Sequence, residues 1–99
     1  MAQTVSVIMP AFNSGRCIHD AIRSVLQQRH CEFELLVVDG GSNDSTREVV
    51  HEYAETDKRV HLIDNTNDKG PAHARSIGIR NSTGEYVAFL DADDYWLPN

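Results

Sequence analysis

Tyr86-Val87-Ala88-Phe89-Leu90-Asp91-Ala92-Asp93-Asp94 is the stretch on which the reading of this chain turns. An apolar run drives to the end of a strand and then presents two carboxylates one residue apart. Carboxylates this close repel each other unless a cation sits among them. A hard divalent cation takes oxygen ligands and keeps open positions for phosphate oxygens. In an open parallel sheet, ligands bind beyond the carboxyl ends of the strands, which is where Asp91 and Asp93 fall. The stretch therefore implies a metal–phosphate site on a parallel sheet, provided the preceding residues supply the other strands.

They do. Before it, Ser82-Thr83-Gly84 turns the chain out of a helix expected over about 71–80, which opens with Pro71 in a favoured first-turn position. Val60-His61-Leu62-Ile63 is a further strand, followed by a polar loop from Asp64 to Lys69. Earlier still, Phe33 to Val38 form a strand ending at Asp39, and Gly40 to Asp44 form a turn-rich loop. Ser45-Thr46-Arg47-Glu48 then has the pattern of a capping box, with Asp44 as a competing cap. Val49, Val50, Tyr53 and Ala54 give that helix its inner stripe. At the start, Val5 to Met9 is a β-branched strand ended by Pro10, with a loop from Ala11 to Gly15. Cys17, Ile18, Ala21, Ile22, Val25 and Leu26 recur at helical spacing. Asn13 or Ser14 is the expected cap of that helix, which fades between Gln28 and His30.

Strand starts near residues 5, 33, 60 and 86 repeat a β-α unit of about thirty residues, the βαβ pattern. The strands are continuously apolar, as expected of a parallel sheet covered on both faces. The predicted fold is α/β and Rossmann-like: four parallel strands in the order 3-2-1-4, with helices on both faces and the fourth strand at an edge. Ninety-nine residues suffice for one domain, burying roughly 60–70% of the unfolded surface.

Nine basic residues against fifteen acidic ones give a formal charge of -6. This argues against a nucleic-acid partner, whose affinity rests largely on Lys and Arg. It also means that an anionic ligand needs a local cation or a few placed donors. Cys17 and Cys31 have no metal-binding spacing, and no apolar run reaches the ~18 residues of a membrane span. The expectation is a soluble cytoplasmic protein, with the inner face of the membrane as the alternative.

The loops after the first two strands match neither the dinucleotide fingerprint nor the P-loop. They offer Phe12 and Asp39 near adjacent strand ends. Phe12 is either a stacking face for a base or a core residue; Asp39 either accepts from a base N–H or caps a turn. Arg75, on the third helix, is placed to reach a diphosphate; the alternative is a solvated side chain.

Four blocks carry a resemblance: Val5 to Asn13; Phe33 to Ser42; Gly70 through Arg75 to Ile79; and Gly84 to Asp94. In this order and spacing the chain resembles the N-terminal half of a family 2 glycosyltransferase with the GT-A fold. The resemblance implies that Pro10, Ala11, Phe12 and Asn13 line a nucleoside pocket and that Asp39 contacts the base. It implies that Arg75 lies beside the diphosphate, and that Asp91, Ala92 and Asp93 form the D-x-D holding Mn2+ or Mg2+ and the sugar nucleotide. The family transfers a sugar from a nucleotide donor, here most simply a UDP-sugar, to a hydroxyl acceptor such as a glycan or lipid-linked sugar in polysaccharide biosynthesis, usually with inversion.

Two positions depart from the family pattern: Gly40 stands where a second acid is frequent, and Ser76 where Asn is common. Family domains run well past the D-x-D, and their later part carries the acceptor site and the catalytic base. On this resemblance the chain is the sugar-nucleotide-binding part, cut just after the D-x-D: it binds donor without completing transfer, and it self-associates through the open fourth strand. Two other readings are a phosphatase of the haloacid dehalogenase type, with Asp91 as nucleophile, and a non-catalytic nucleotide-binding module.

Overall fold

A computed structural model describes residues 4–28, 32–65, 71–94 and 96. The chain runs β1 (Thr4–Ala11), α1 (Ile18–Leu26), β2 (Glu32–Asp39), α2 (Thr46–Thr56), β3 (Val60–Asp64), α3 (Pro71–Asn81) and β4 (Tyr86–Phe89). All strand pairs are parallel, and the order is β3-β2-β1-β4, as the apolar runs predict.

The alternation of side chains along the strands sets the two faces. Val7, Met9, Leu35 and Val37 meet Ile18, Ala21, Ile22 and Val25 of α1 and Val50 of α2 in one buried cluster. On the opposite face, Ile8 and Val38 pack against Ala74 and Ile77 of α3. This split follows from handedness. Two right-handed crossovers carry the chain outward from β1 to β3 on one face, and the third brings it back on the other. Each fully buried aliphatic side chain contributes about 1.5–3 kcal/mol.

Pro10 does not end β1; it pairs with Val38, and the strand continues to Ala11. The Ile8 carbonyl accepts from Leu90 on the β4 side, and the Ala11 carbonyl accepts from Gly40 on the β2 side. Pro10, in phase with Ile8, therefore turns its missing donor toward β4, whose pairing with β1 stops at Ile8. No ladder bond is lost there.

The helix starts also differ from expectation. α1 is preceded by Cys17, without a side-chain cap bond; the Ser14 carbonyl accepts from the Cys17 and Ile18 amides instead. Ser45 precedes α2 but makes no cap bond either. Asp44 takes that role, accepting from the Thr46 amide at 3.0 Å. Asp64 belongs to β3 rather than to the loop. The expected fading of α1 at His30, and the loop over 66–69, lie outside the described residues.

α3 lies over β1 and β2. It comes this close because residue 78 is glycine: a Cβ there would collide with the side chain of Ile8. At the amino end of the sheet, Glu34 ties the α3–β4 turn down. Its Oε2 accepts from the Ser6 hydroxyl at 2.6 Å and from the Thr83 amide at 2.7 Å. Burial alone pushes this carboxyl up, but these bonds outweigh it and hold Glu34 below its ordinary range.

Candidate functional site

The chain winds from β1 outward to β3 and returns to place β4 on the other side of β1. The strand order thus reverses between β1 and β4, and the loops leaving their carboxyl ends part to leave a crevice.

One wall of the crevice is the loop after β1, fastened to the loop after β2. The Gly40 amide donates to the Ala11 carbonyl at 2.9 Å. The Asn13 amide donates to Ser42 Oγ at 2.8 Å, and the Asn43 amide to Asn13 Oδ1 at 3.0 Å. The Ser14 amide donates to Thr46 Oγ1 at 2.7 Å, and the Gly15 amide to Asp44 Oδ2 at 3.0 Å. Asn13 has φ +48°, the one positive φ outside glycine among the described residues. Asparagine tolerates that conformation better than most residues. Beside this kink Phe12 is 56% exposed, so it is not a core residue.

Asp39 organises the second loop from below. It is fully buried, and its Oδ2 accepts from the amides of Gly41 at 3.2 Å and Ser42 at 3.0 Å. Oδ1 accepts from the Ser42 hydroxyl, and that hydroxyl's oxygen in turn accepts from the Asn13 amide. Arg47 stands 3.8 Å away and forms a two-pronged pair with Asp64.

The opposite wall is the turn after β4. The Asp94 amide donates to the Asp91 carbonyl at 2.9 Å. This closure brings carboxylate oxygens of Asp91, Asp93 and Asp94 within 4.8 Å of one another, all on exposed side chains. Arg75 reaches across from α3 to Asp91 at 3.5 Å. Three carboxylates against one guanidinium leave the turn short of positive charge. An all-oxygen donor set with this spacing fits a hard divalent cation.

Between the walls lies a cleft of about 520 Å³, within the usual range of small-molecule sites. Pro10, Ala11, Phe12, Asn13, Arg75, Asp91, Ala92 and Asp93 all line it, so residues far apart in the sequence meet as expected. Asp39 is the exception among the expected site residues. Its carboxylate is capped by its own loop, and the backbone of Gly40 faces the cleft in its place. Asp39 thus makes the turn-capping bonds of one of its two expected roles, with acceptor capacity to spare for the other. Sequence reasoning did not single out Ser42, Asp44 and Thr46 for this wall. Their bonds span about thirty residues and have no local periodic signal.

A doubly wound parallel sheet with a cleft at its switch point defines the class of α/β ligand-binding domains. Within that class the chain belongs to glycosyl transferase family 2, whose description matches residues 6–99. It is 43% identical over 95 residues to the UDP-Glc:alpha-D-GlcNAc-diphosphoundecaprenol beta-1,3-glucosyltransferase WfgD of Escherichia coli, covering 96% of this chain and 37% of that protein. Among solved structures it resembles the mannosyltransferase PcManGT from Pyrobaculum calidifontis in complex with GDP-Man and Mn2+. The TM-score is 0.87 at 33% identity, over 97% of this chain and 29% of that one. It also resembles S. aureus TarS 1-349 in complex with UDP, with TM-score 0.85 at 33% identity, over 93% of this chain and 28% of that one. The chain spans about a third of the length, or less, of the curated relatives it matches. Family membership sets aside the phosphatase reading of Asp91. No helix among the described residues is long and apolar enough to cross a membrane.

Proposed function

We propose that this chain is the donor-binding part of a metal-dependent glycosyltransferase that moves a sugar from a nucleoside diphosphate to a hydroxyl acceptor, with inversion. The observation that carries the reading is the cleft at the β1/β4 switch point, which faces an exposed aromatic loop with an arginine and an acidic turn. Phe12 stacks on the base, a contact worth about 1–3 kcal/mol, and Pro10, Ala11 and Asn13 shape the nucleoside wall. Asp39 holds that wall from beneath through Ser42. Arg75 pairs with the diphosphate, which exchanges with Asp91 for the guanidinium. Asp91 and Asp93 hold Mn2+ or Mg2+, and Ala92 between them, buried in the core, anchors the turn at the cleft. When bound, the cation supplies the positive charge that offsets the departing diphosphate.

The names of the similar proteins support a nucleoside diphosphate sugar as donor, UDP-linked in the E. coli relative and GDP-linked in the Pyrobaculum calidifontis neighbour. A UDP-sugar is the first donor to test, and a lipid-linked sugar at the inner face of a membrane is the first acceptor. Asp91, Asp93 and Asp94, the acids lining the cleft or flanking it among the described residues, share a single turn on the leaving-group side. Transfer also needs a base facing the acceptor, which contributes roughly 10²–10⁴-fold. Donor binding without turnover is therefore expected of these residues alone. Tyr86, Val87 and Phe89 leave the β4 edge apolar and exposed, so self-association through it belongs to the same proposal; sedimentation showing a monomer at all concentrations would remove it. Calorimetry tests the central reading. UDP with Mn2+ should bind and lose most of its affinity in EDTA, whereas UDP affinity indifferent to EDTA would sink the role of the acidic turn.

A further inference from the structure

The carboxylates of Asp91, Asp93 and Asp94 crowd one another and repel. Among the described residues Arg75 is the one cation paired with them. Its place on the backbone is fixed. Ala74 beside it is buried against Ile8 and Val38, and Gly78 lets α3 settle onto Ile8.

The guanidinium itself is held loosely. Nη2 stands 3.5 Å from Asp91 Oδ1, and the two side chains are 40% and 52% exposed. By contrast, Arg59 meets Asp57 at 2.7 Å, and Arg47 holds Asp64 by two bonds. Ordinary N–H···O bonds reach to about 3.2 Å, so the Arg75–Asp91 contact is a pairing of charges without a closed hydrogen bond. An exposed pair of this kind shifts an equilibrium by no more than about fivefold. It is strong enough to compete with a ligand and weak enough to be exchanged.

We infer that Arg75 is the resident counterion of the acidic turn, and that its exchange between Asp91 and the diphosphate couples the binding of metal and nucleotide. This inference rests on the reading of the first cleft as a nucleotide and metal site. Asp91 keeps the guanidinium until it takes a divalent cation; Arg75, released, is then free to pair with phosphate oxygens. A cation alone must displace the guanidinium from Asp91. A diphosphate alone must draw it away and leave three bare carboxylates beside the phosphates. Each ligand removes the obstacle to the other, and such coupling acts equally in both directions. Arg75 therefore weakens the binding of free metal while strengthening that of the nucleotide with metal.

The two effects have opposite signs, which a purely structural role for Arg75 would not produce. The experiment measures Mn2+ binding without nucleotide, from the loss of the free-ion paramagnetic resonance signal, and UDP binding in saturating Mn2+ by calorimetry. It compares the unaltered chain with Arg75→Gln and with Arg80→Gln, a control that removes one positive charge from the last turn of the same helix. Arg75→Gln should bind Mn2+ about two- to fivefold more tightly and UDP about tenfold or more less tightly. Arg80→Gln should match the unaltered chain in both. The Arg75 Nε–H resonance gives a second reading that needs no variant to fold: it should shift on adding Mg2+ alone and again on adding UDP. Mn2+ affinity unchanged or lowered in Arg75→Gln, or a resonance that moves only with UDP, overturns the exchange and leaves the nucleotide reading standing. Equal tightening of Mn2+ in Arg80→Gln reduces the effect to net charge and overturns the exchange as well. Failure of the unaltered chain to bind either Mn2+ or UDP overturns the nucleotide reading and this inference together.

Discussion

On one side of the cleft, five hydrogen bonds fasten the loop after β1 to the loop after β2, over a buried carboxylate that caps the second loop. On the other side, a four-residue turn carries three exposed carboxylates, and Arg75 to Asp91 is the one ion pair spanning to it among the described residues. In the proposed reading the first wall meets a neutral nucleoside, and its loop conformation is fixed beforehand, which lowers the entropy cost of binding. In the same reading the second wall, with a net negative charge of its own, meets a polyanion, so its working geometry waits on a cation. Damage to the first wall should therefore lower affinity without changing the dependence on metal, and damage to the second should change that dependence.

The sharpest test falls on the acidic wall. Asp93→Ala should lower Mn2+-dependent UDP affinity by at least the roughly 10–100-fold that loss of an outer-shell partner costs a metal site. Without metal, its thermal midpoint should match the unaltered protein or rise slightly, because one of three repelling carboxylates is gone. A midpoint that drops along with the affinity would show that the acidic turn is a structural element, and the contrast between the walls would fail.

Gly78→Ala comes next, because it moves Arg75 without touching any ligand group. Forcing a methyl against Ile8 costs about 1–3 kcal/mol, and the gain in helix propensity returns about 1 kcal/mol. A lower urea midpoint and weaker UDP binding are expected together. Unchanged UDP affinity in a destabilised protein would separate α3 from the diphosphate.

Ser42→Ala probes the nucleoside wall. It removes the acceptor of the Asn13 amide and a donor to buried Asp39, a loss of about 1–2 kcal/mol. UDP affinity should fall several-fold while the ratio of affinities with Mn2+ and with EDTA stays constant. A changed ratio would mean that the two walls are coupled.

The sequence made the sheet and the acidic turn easy to read and the nucleoside wall hard, and the reasons are physical. Four apolar runs of strand length, spaced by helical stripes, restrict a right-handed parallel fold to few arrangements. Leu90 to Asp93 stand out in the sequence because apolar burial and carboxylate repulsion are both local properties. Asp39 does not, because its position at a strand end is common to a base-contacting acid and a turn-capping one. Its bonds to Ser42, three residues on, belong to the loop and not to the strand pattern that the sequence displays. Pro10 misled for a similar reason: it ends a strand only where its missing donor faces a partner, and that depends on how far β4 extends. The capping box pattern at Ser45 likewise lost to Asp44, whose other oxygen is drawn into place by the Gly15 amide across the loop junction.

Asp44 provides the smallest and most specific test of the fastened wall. The Thr46 hydroxyl, then the Thr46 amide, hold its carboxyl below the ordinary value of 3.8; partial burial opposes them, and the Gly15 amide adds to them. A carboxyl whose folded value is depressed binds fewer protons folded than unfolded. Its contribution is therefore complete above its ordinary value and is lost as pH falls through the lower folded one. Asp44→Asn keeps an acceptor for Thr46 and places an amide nitrogen opposite Gly15. Its urea midpoint should lie slightly below that of the unaltered protein by a constant amount above about pH 5. The difference should shrink below about pH 4 and vanish once Asp44 is protonated in the folded protein. Glu34, which is also depressed, is present in both proteins and cancels in the comparison. A difference that stays constant into strong acid would mean that the Asp44 charge contributes nothing, leaving the neutral bonds of Asn13, Ser14 and Gly40 to hold the two loops together.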